Sequence, residues 1–338
     1  MEAVLLFTMV IVLLLIGVPI AVGLGLSSIV FLLVYSDASL ASVAQTLFNA
    51  FAGHFTLLAI PFFILASAFM STGGVAQRII RFAIASVGHF PGGLAIAGVF
   101  ACMLFAALSG SSPATVVAIG SIVIAGMRQV GYSKEFAAGV ISNAGTLGIL
   151  IPPSIVMVVY AASVDVSVGR MFLAGVIPGI VAGLMLMTAI YIVAKFRGLP
   201  SQPKASWREL LAAASDAGFG LFLIVIILGG IYGGIFTPTE AAAVAAVYAF
   251  LIANFVYRDM GPLKGDGKTP VSLLKRPSAL LTAWVHPDTK RTLLEAGKLT
   301  IMLMFIIANA LILKQVLTEE RIPQLITEAL LSAGFGPI

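Results

Sequence analysis

Charged residues are scarce in this sequence of 338 residues. Asp, Glu, Lys and Arg make up 10% of it and hydrophobic residues 60%, whereas average globular proteins contain about 25% charged residues. A water-soluble domain of this size could not cover its surface with so few charges. The composition therefore excludes an ordinary soluble protein, and several apolar stretches exceed the roughly 20 residues that a bilayer crossing requires.

Residues that form disulfides or bind metals are equally few. Cys102 is the only cysteine, which excludes an intrachain disulfide, and its expected role in an apolar run is packing. The three histidines, His54, His89 and His286, have no ligand spacing. We therefore expect no metal centre, no cofactor and no enzymatic activity. The net charge of +5 is attributed to cytoplasmic loops and not to nucleic-acid binding.

Long apolar runs predict an all-α polytopic membrane protein, because backbone groups in lipid must be hydrogen-bonded within their own segment. The strands of a β-barrel would be shorter and would alternate in polarity. The first apolar stretch has no basic region before it, so it is predicted to be a retained helix, bent at Gly17–Pro19, and not a signal peptide. The candidate membrane segments are 3–35, 52–71, 92–109, 112–127, 134–163, 171–196, 217–236, 238–257 and 295–317.

The distribution of basic residues predicts an orientation. If 92–109 and 112–127 form a hairpin that returns to its starting side and the N-terminus is cytoplasmic, 16 of the 19 Lys and Arg residues face the cytoplasm. Two full crossings would give the same count, so the depth of the hairpin stays open. Residues 76–88 have the pattern of an interfacial helix. The polar stretch 258–291 is predicted to be a mobile cytoplasmic loop.

The first of two breaks in the apolar runs is the sequence Ser109–Pro113. Gly and Pro end helices and Ser caps them, so we expect Ser111 or Ser112 to cap the returning helix and Pro113 to occupy its first turn. A loop at membrane depth persists only where it lines a cavity or is buried in protein. Helix N-termini there would attract anions, and carbonyl and hydroxyl oxygens would suit a hard cation.

The second break covers residues 142–154. Two glycines loosen the helix, two prolines stop it, and Ile151 before a proline is pushed toward an extended conformation. The polar side chains Asn143 and Thr146 are three residues apart and share a helical face. Neither break contains a charged side chain, so a sodium site of carbonyls and hydroxyls is permitted there. The alternative is that Ser and Gly serve only for close helix packing.

A short internal repeat links residues 75–91 (VAQRIIRFAIASVGHFP) with residues 322–337 (IPQLITEALLSAGFGP). Both follow an apolar helix, and the topology above places them on opposite sides of the membrane. Such a pair is typical of inverted-repeat transporters. If the repeat is real, a second hairpin and a second broken helix belong after residue 337. The second repeat is then incomplete, and the 338 residues alone are not expected to transport.

Four motifs resemble the large membrane subunit of tripartite ATP-independent periplasmic (TRAP) transporters: SGSSPATVVAIGSI, SNAGTLGILIPPSIVMVVYA, GRMFLAGVIPGI and GGIFTPTEAAAVAAVYA. The resemblance covers nearly the whole chain. It implies an elevator-type transporter of the bacterial inner membrane, with a re-entrant hairpin and a broken helix in each repeat. It also implies a small membrane subunit, a periplasmic substrate-binding protein, and import of a carboxylate-bearing organic solute driven by sodium.

The same resemblance assigns site residues. The residues that match the first sodium site are Ser109, Gly110, Ser111, Asn143, Gly145, Thr146 and Gly148. Those that match one wall of the substrate site are Ser111, Ser112, Pro113, Pro152, Pro153 and Ser154. One departure is the loop 258–291, which is longer than usual for the family, and the other is the absence of a second hairpin.

The resemblance also divides the chain into segments. These are scaffold helices at 1–71, an interfacial arm at 72–91, the hairpin and broken helix at 92–163, a connecting helix and cytoplasmic loop at 164–216, a scaffold pair at 217–257, the polar loop at 258–291, and the start of a second transport unit at 292–338. Two alternatives remain. One is a dicarboxylate or ion transporter that needs no binding protein, and the other is a membrane-embedded enzyme or assembly scaffold.

Overall fold

The computed structural model describes residues 2–35, 41, 44–45, 48, 55–265 and 271–334. Helices and no strands occur among these residues, which confirms the all-α membrane class. Five helices in the described part are long and apolar enough to cross a membrane, and a sixth crossing results if one bent pair is counted. The five are Phe55–Thr72, Val168–Arg197, Trp207–Tyr232, Pro238–Leu263 and Pro287–Thr318.

The helices are named here in chain order. The first group is α1 (Glu2–Leu15), α2 (Ile20–Tyr35), α3 (Ala59–Thr72), α4 (Val75–Val87), α5 (Gly93–Ser109), α6 (Ser112–Gln129), α7 (Lys134–Gly145) and α8 (Leu147–Leu150). The second is α9 (Ile155–Ser163), α10 (Val168–Arg197), α11 (Trp207–Ile224), α12 (Pro238–Leu251), α13 (Ala279–Val285), α14 (Pro287–Glu319) and α15 (Ile322–Ser332). The π-helical segments Val225–Gly229 and Ile252–Val256 extend α11 and α12.

The chain forms two compact units, Met1–Phe55 with Leu299–Ile338, and Thr56–Lys298. In the first unit, α1 and α2 fold back on each other at Gly17, whose φ is 90°. Gly23 in α2 lies against Leu14 in α1, since a Cβ on Gly23 would be 3.5 Å from the Leu14 Cδ2. The prediction of one bent helix over 3–35 is therefore wrong, because this stretch is a helical hairpin.

Packing within the first unit explains the hairpin. Leu6 of α1 and Phe31 of α2 are both buried in one apolar cluster, with Ile312 and Val316 of α14. A straight helix would have kept Leu6 and Phe31 about 37 Å apart, so they could not share one cluster. Since the hairpin brings the start of α1 and the end of α2 to the same end of the pair, the cytoplasmic N-terminus, which assumed a single crossing, stays a prediction.

In the second unit, α3 and α12 pack side by side. Phe69 meets Phe250 edge to face, with ring centroids 5.4 Å apart, and Gly73 lies directly against Ala253. Most of the buried side of α12 consists of alanines. Small residues at this contact let two helix backbones approach closely, as is usual in membranes.

The segment predicted to be an interfacial helix forms the amphipathic helix α4, which begins after Gly74 (φ 72°), and its position at the membrane interface stays a prediction. Arg78 forms an ion pair with Asp259 and lies 3.9 Å from the centroid of the Tyr257 ring. The Tyr257 hydroxyl donates to the Asp216 carbonyl oxygen at 2.6 Å. The charged side of α4 therefore contacts the residues that follow α12, and through Tyr257 it is linked to the middle of α11.

We expect Arg78→Ala to lower thermal stability more than Arg81→Ala. The Arg78 side chain is 25% exposed and also donates to the Gly74 carbonyl oxygen, whereas Arg81 is 60% exposed and binds Asp216 alone at 2.7 Å. Loss of charged hydrogen bonds at the more buried site costs about 1–3 kcal/mol, and an exposed pair is worth under about 1 kcal/mol. Unfolding in detergent can be followed with a thiol-reactive dye, because Cys102 is fully buried. Equal shifts for the two variants would contradict this ranking.

The described part of the stretch 258–291, which was predicted to be a mobile loop, contains regular structure, and its mobility stays a prediction. Residues 261–263 and 273–275 form 3-10 turns, and α13 follows. The Arg276 Nη1 donates to the Pro262 carbonyl oxygen at 3.0 Å, and Trp284 stacks on Phe250 with centroids 4.1 Å apart. These contacts hold the segment against the end of α12.

A local feature recurs at the two places linked by the internal sequence repeat. Both α4 and α15 begin one residue after a left-handed backbone conformation, at Gly74 (φ 72°) and Arg321 (φ 51°). Each is an amphipathic helix that follows a long apolar one. The chain therefore makes the same kind of turn before both repeated segments, while the inverted repeat as a whole stays a prediction.

Candidate functional site

The first predicted break is the tip of a hairpin formed by α5 and α6. Gly110 ends α5 with a φ of 60°, and its N–H donates to the Ala106 carbonyl oxygen at 2.9 Å. Ser111 is extended and caps α6, its Oγ accepting from the Ala114 N–H at 3.5 Å, and Pro113 lies in the first turn. This is the predicted capping arrangement, with Ser111 as the N-cap.

Buried hydroxyls hold the tip in shape. Ser109 and Thr115 are both fully buried, and their hydroxyl oxygens are 3.0 Å apart. The Thr115 Oγ1 and N–H both donate to the Ser111 carbonyl oxygen, at 2.9 and 3.0 Å. In the described part of the chain, the buried Ser112 Oγ has no hydrogen-bond partner. The tip therefore carries one hydroxyl whose hydrogen-bonding capacity the fold does not use.

The second predicted break is narrower than the sequence suggested. Helix α7 is separated from α8 only by Thr146, which itself has a right-handed helical backbone. The chain leaves the helical path at Ile151 (φ −82°, ψ 120°), as predicted, and α9 begins after Ser154 with a bend of 42°. Gly145 and Gly148 therefore do not break the helix, and Pro152–Pro153 do.

The two glycines have a different role, which is to receive the hairpin tip. A Cβ on Gly148 would lie 3.1 Å from the Ser112 nitrogen, and Gly145 lies directly against Val116. The Gly110 carbonyl oxygen accepts from the Ile155 N–H at 3.0 Å. The structure thus brings the two breaks, from which the resemblance drew one predicted sodium site, into direct backbone contact.

Asn143 and Thr146 lie on the other side of this helix. Both are exposed, which agrees with the predicted shared face. The Asn143 Nδ2 donates to the Gly139 carbonyl oxygen at 2.8 Å, and the Thr146 Oγ1 donates to the Asn143 carbonyl oxygen at 2.7 Å. Of the predicted sodium ligands, the structure therefore groups Ser109, Gly110, Ser111, Gly145 and Gly148, and places Asn143 and Thr146 on the exposed face beside them.

The predicted substrate residues divide by exposure. Pro152, Pro153 and Ser154 are buried at the break, and the Ser154 Oγ accepts from the Met157 N–H at 3.5 Å to cap α9. Pro113 is exposed at the start of α6, and Ser111 and Ser112 are partly exposed. An approaching solute would therefore meet the start of α6 first.

Two helix N-termini meet at this site. Ser111 caps α6 and Ser154 caps α9, and the hydrogen bond from Ile155 to Gly110 joins the two capping loops. The N-terminal end of a helix carries partial positive charge from its unpaired N–H groups. Without any charged side chain, the contact of the two breaks can attract an anion such as a carboxylate.

Sequence reasoning missed a stripe of three glycines on α10. Gly175 lies against Met157 and the Leu150 carbonyl oxygen, Gly179 lies against Ile151, and Gly183 contacts Met103. The spacing Gly-x-x-x-Gly-x-x-x-Gly at 175, 179 and 183 is readable in the sequence and signals a close helix–helix contact. Through Gly175 and Gly179, α10 therefore packs closely against the broken helix.

A family model matches residues 7–338, and its description is tripartite ATP-independent periplasmic transporter, DctM component. The C4-dicarboxylate TRAP transporter large permease protein of Vibrio cholerae is 74% identical over 338 residues, which cover 100% of this chain and 74% of that protein. The C4-dicarboxylate large permease of Pseudomonas aeruginosa is 58% identical over 93% of this chain and 68% of that protein.

Relatives with other named solutes are more distant. The 2,3-diketo-L-gulonate TRAP transporter large permease protein of Escherichia coli is 37% identical over 317 residues, which cover 93% of this chain and 68% of that protein. The similarity extends through both breaks and the helices that support them. The site described above therefore lies within the part of the chain that these permeases share.

Proposed function

The chain belongs to the DctM component family of tripartite ATP-independent periplasmic transporters, and on this premise we propose that it serves in a permease that carries a C4-dicarboxylate into the bacterial cell by sodium symport. The large identity to permeases named for C4-dicarboxylates supports this solute class. A small membrane subunit and a periplasmic substrate-binding protein would complete the transporter. The chain itself is a multi-pass membrane protein, and its relatives are permeases and not enzymes.

The observation that carries the proposal is the contact between the hairpin tip and the broken helix. It places the N-terminal ends of α6 and α9 next to each other at Ser111 and Ser154. A carboxylate of the solute would bind to these helix ends, with the partly exposed Ser112 at the entrance. Transporters commonly form solute sites from such interrupted helices.

Sodium would bind to neutral oxygens of the two breaks. We propose the Gly110 carbonyl oxygen, the Ser111 hydroxyl and the amide oxygen of the Asn143 side chain as its ligands. The Gly110 carbonyl oxygen accepts the hydrogen bond from Ile155 and has a second lone pair for a cation. A site of uncharged ligands binds sodium only moderately, which suits an ion that must be released on the other side.

The hairpin and the broken helix would move together in an elevator mechanism. Their contact is tightly interlocked at Ile141 of the broken helix, since a Cβ on Gly98 would be 3.2 Å from the Ile141 Cδ1 and a Cβ on Gly120 would be 2.9 Å from the Ile141 Cγ2. Such a close contact favours motion as one body over separation of the two parts. We propose that this body moves relative to the scaffold segments 1–71 and 217–257.

Uptake of labelled succinate by cells that express the protein from its own gene tests the coupling. We expect uptake to require external sodium and to stop when choline replaces it. The double substitution Ser111→Ala with Asn143→Ala should raise the sodium concentration needed for half-maximal uptake by about tenfold, the equivalent of one lost charged hydrogen bond or ligand.

The possible outcomes test three claims separately: sodium symport, the assignment of the sodium site, and the need for a binding protein. Sodium-independent uptake by the unmodified protein would refute symport. An unchanged sodium dependence of the double variant would refute the site assignment and leave symport standing. Uptake that persists after removal of the binding-protein gene would favour the alternative of a transporter that works without one.

A further inference from the structure

The segment of residues 271–285 between α12 and α14 carries large apolar side chains on its outer surface. Leu274 is 94% exposed, Leu281 79% and Trp284 57%. The segment lies between two membrane-spanning helices and is not part of either span. A loop that faces only water would not expose so many large apolar groups together.

The helix α13 within this segment has its small residues inside and its large residues outside. Ala279 and Ala283 are fully buried against the protein. The large side chains on the rest of the helix surface are exposed: Leu280, Leu281, Trp284 and Val285. A surface helix in water shows the reverse arrangement.

A stacking contact fixes the depth of this helix. Trp284 stacks on Phe250 of α12, with an interplanar angle of 26°. The helix from Pro238 to Val256 rises about 28 Å at about 1.5 Å per residue, close to the roughly 30 Å of the hydrocarbon core. Phe250 lies about 9 Å inside its end. Trp284 therefore lies beside the last third of this membrane-spanning helix and not beyond its end.

Basic residues accompany the apolar surface. Lys275 and Arg276 lie just before α13, and the sequence contains no Asp or Glu from 271 to 286. Lys275 is exposed, while Arg276 also donates to the Pro262 carbonyl oxygen. Anionic lipid headgroups attract such clusters, and tryptophan favours the interface between headgroups and acyl chains.

We propose that residues 271–285 are an interfacial anchor that inserts into the membrane leaflet on the side of the basic loops and binds anionic phospholipid headgroups. Leu281, Trp284 and Val285 enter the upper acyl-chain region, and Lys275 contacts the headgroups. The anchor holds the connection between α12 and α14 at a fixed depth. The polar stretch 258–291 then has a structural role of its own.

Fluorescence quenching tests the insertion. The sequence has two tryptophans, so Trp207→Phe leaves Trp284 as the single reporter. The variant chain is reconstituted into phosphatidylcholine vesicles whose acyl chains carry bromine either near the headgroup or near the methyl end. We expect stronger quenching by bromine near the headgroup, relative to unbrominated vesicles. Quenching by neither lipid would overturn the proposal. Quenching that disappears when the small membrane subunit is added would also overturn it, because a protein would then be the occupant.

The charge contribution is tested with a matched pair of variants. Lys275→Gln removes one charge within the segment, and Lys204→Gln removes one exposed charge from another loop. Enrichment of phosphatidylglycerol around the purified protein should fall about fivefold for Lys275→Gln, as expected for one basic residue near the surface, and stay unchanged for Lys204→Gln. An equal fall in both variants, or no fall in Lys275→Gln, would overturn the headgroup contact.

Discussion

Replacement of Gly110 by alanine is expected to reduce solute uptake at least tenfold. The left-handed backbone at Gly110 (φ 60°) costs a residue with a Cβ about 1–2 kcal/mol. The new Cβ would also lie 2.6 Å from the Pro153 carbonyl oxygen, a backbone atom that cannot rotate away. Overpacking of this kind adds about 1–3 kcal/mol. The tip would be displaced from the break, and the hydrogen bond from Ile155 to Gly110 would be lost.

A displaced tip matters because, in the proposed function, the N-terminal ends of α6 and α9 bind the same carboxylate. A misplacement of about 1 Å at a binding or reacting centre can cost about 10²-fold in rate. The measurement is the initial rate of succinate uptake, normalised to the amount of folded protein in the membrane. Full uptake by Gly110→Ala would show that the contact between tip and break is not part of the site.

Gly131→Ala is the matched control for backbone strain. Gly131 has a φ of 95°, and a Cβ there would meet no described atom within 4 Å. The substitution therefore imposes left-handed strain of similar size without a collision, in the turn after the hairpin. We expect lower thermal stability but normal uptake per folded molecule. Equal losses of uptake in the two variants would mean that strain alone, and not the contact with Pro153, explains the effect.

The features that sequence reasoning predicted correctly are those that depend on local chemistry. Long apolar runs gave helices, because lipid leaves the backbone no other partner. The start of α12 is likewise local, because Thr237 and Glu240 form a capping box in which the Glu240 Oε2 accepts from the Thr237 N–H at 2.8 Å. The cap at Ser111 and the extended Ile151 were likewise set by adjacent residues. Ser, Pro and Gly act within a few positions of themselves, so their effects can be read without the fold.

The features that sequence reasoning predicted wrongly depend on contacts between residues that are distant in sequence. The fold-back of α1 on α2 is stabilised by Leu6 and Phe31 packing with residues of α14, which no pattern within 3–35 announces. Gly148 could equally loosen a helix or receive a neighbour, and only the position of Ser112 decides between them. The structured part of 271–285 similarly depends on Phe250. Hydropathy shows that a residue is apolar but does not show which residue it packs against.

For the candidate site, the sequence identified both breaks but not their contact. No pattern in the residues between the two breaks indicates that the Gly110 carbonyl oxygen will accept a hydrogen bond from the Ile155 N–H. The glycine stripe that begins at Gly175 was readable from its spacing, yet its target was not. The roles of the site residues in binding sodium and solute stay predictions until uptake is measured.

Ser112→Ala should lower uptake without lowering stability, and this combination distinguishes a ligand from a structural residue. In the part of the chain that the structure describes, the buried Ser112 Oγ has no hydrogen-bond partner. A buried hydroxyl without a partner costs the fold free energy, so its removal should leave the melting temperature unchanged or raise it. If the hydroxyl binds the carboxylate or sodium, its loss removes about 1.5–3 kcal/mol of binding. The half-saturating concentration of that ligand should then rise about tenfold to hundredfold.

Ser109→Ala provides the opposite case within the same tip. The Ser109 hydroxyl is fully buried and satisfied, 3.0 Å from the Thr115 Oγ1 and 3.3 Å from the Ser111 carbonyl oxygen. Its removal should lower stability by about 1 kcal/mol, because Thr115 loses a partner. A fall in melting temperature for Ser112→Ala as large as that for Ser109→Ala would make Ser112 structural. Unchanged uptake at unchanged stability would exclude it from the binding site. A loss of uptake without a loss of stability would indicate that the Ser112 hydroxyl binds a ligand, which would then be the hydrogen-bond partner that it lacks in the described structure.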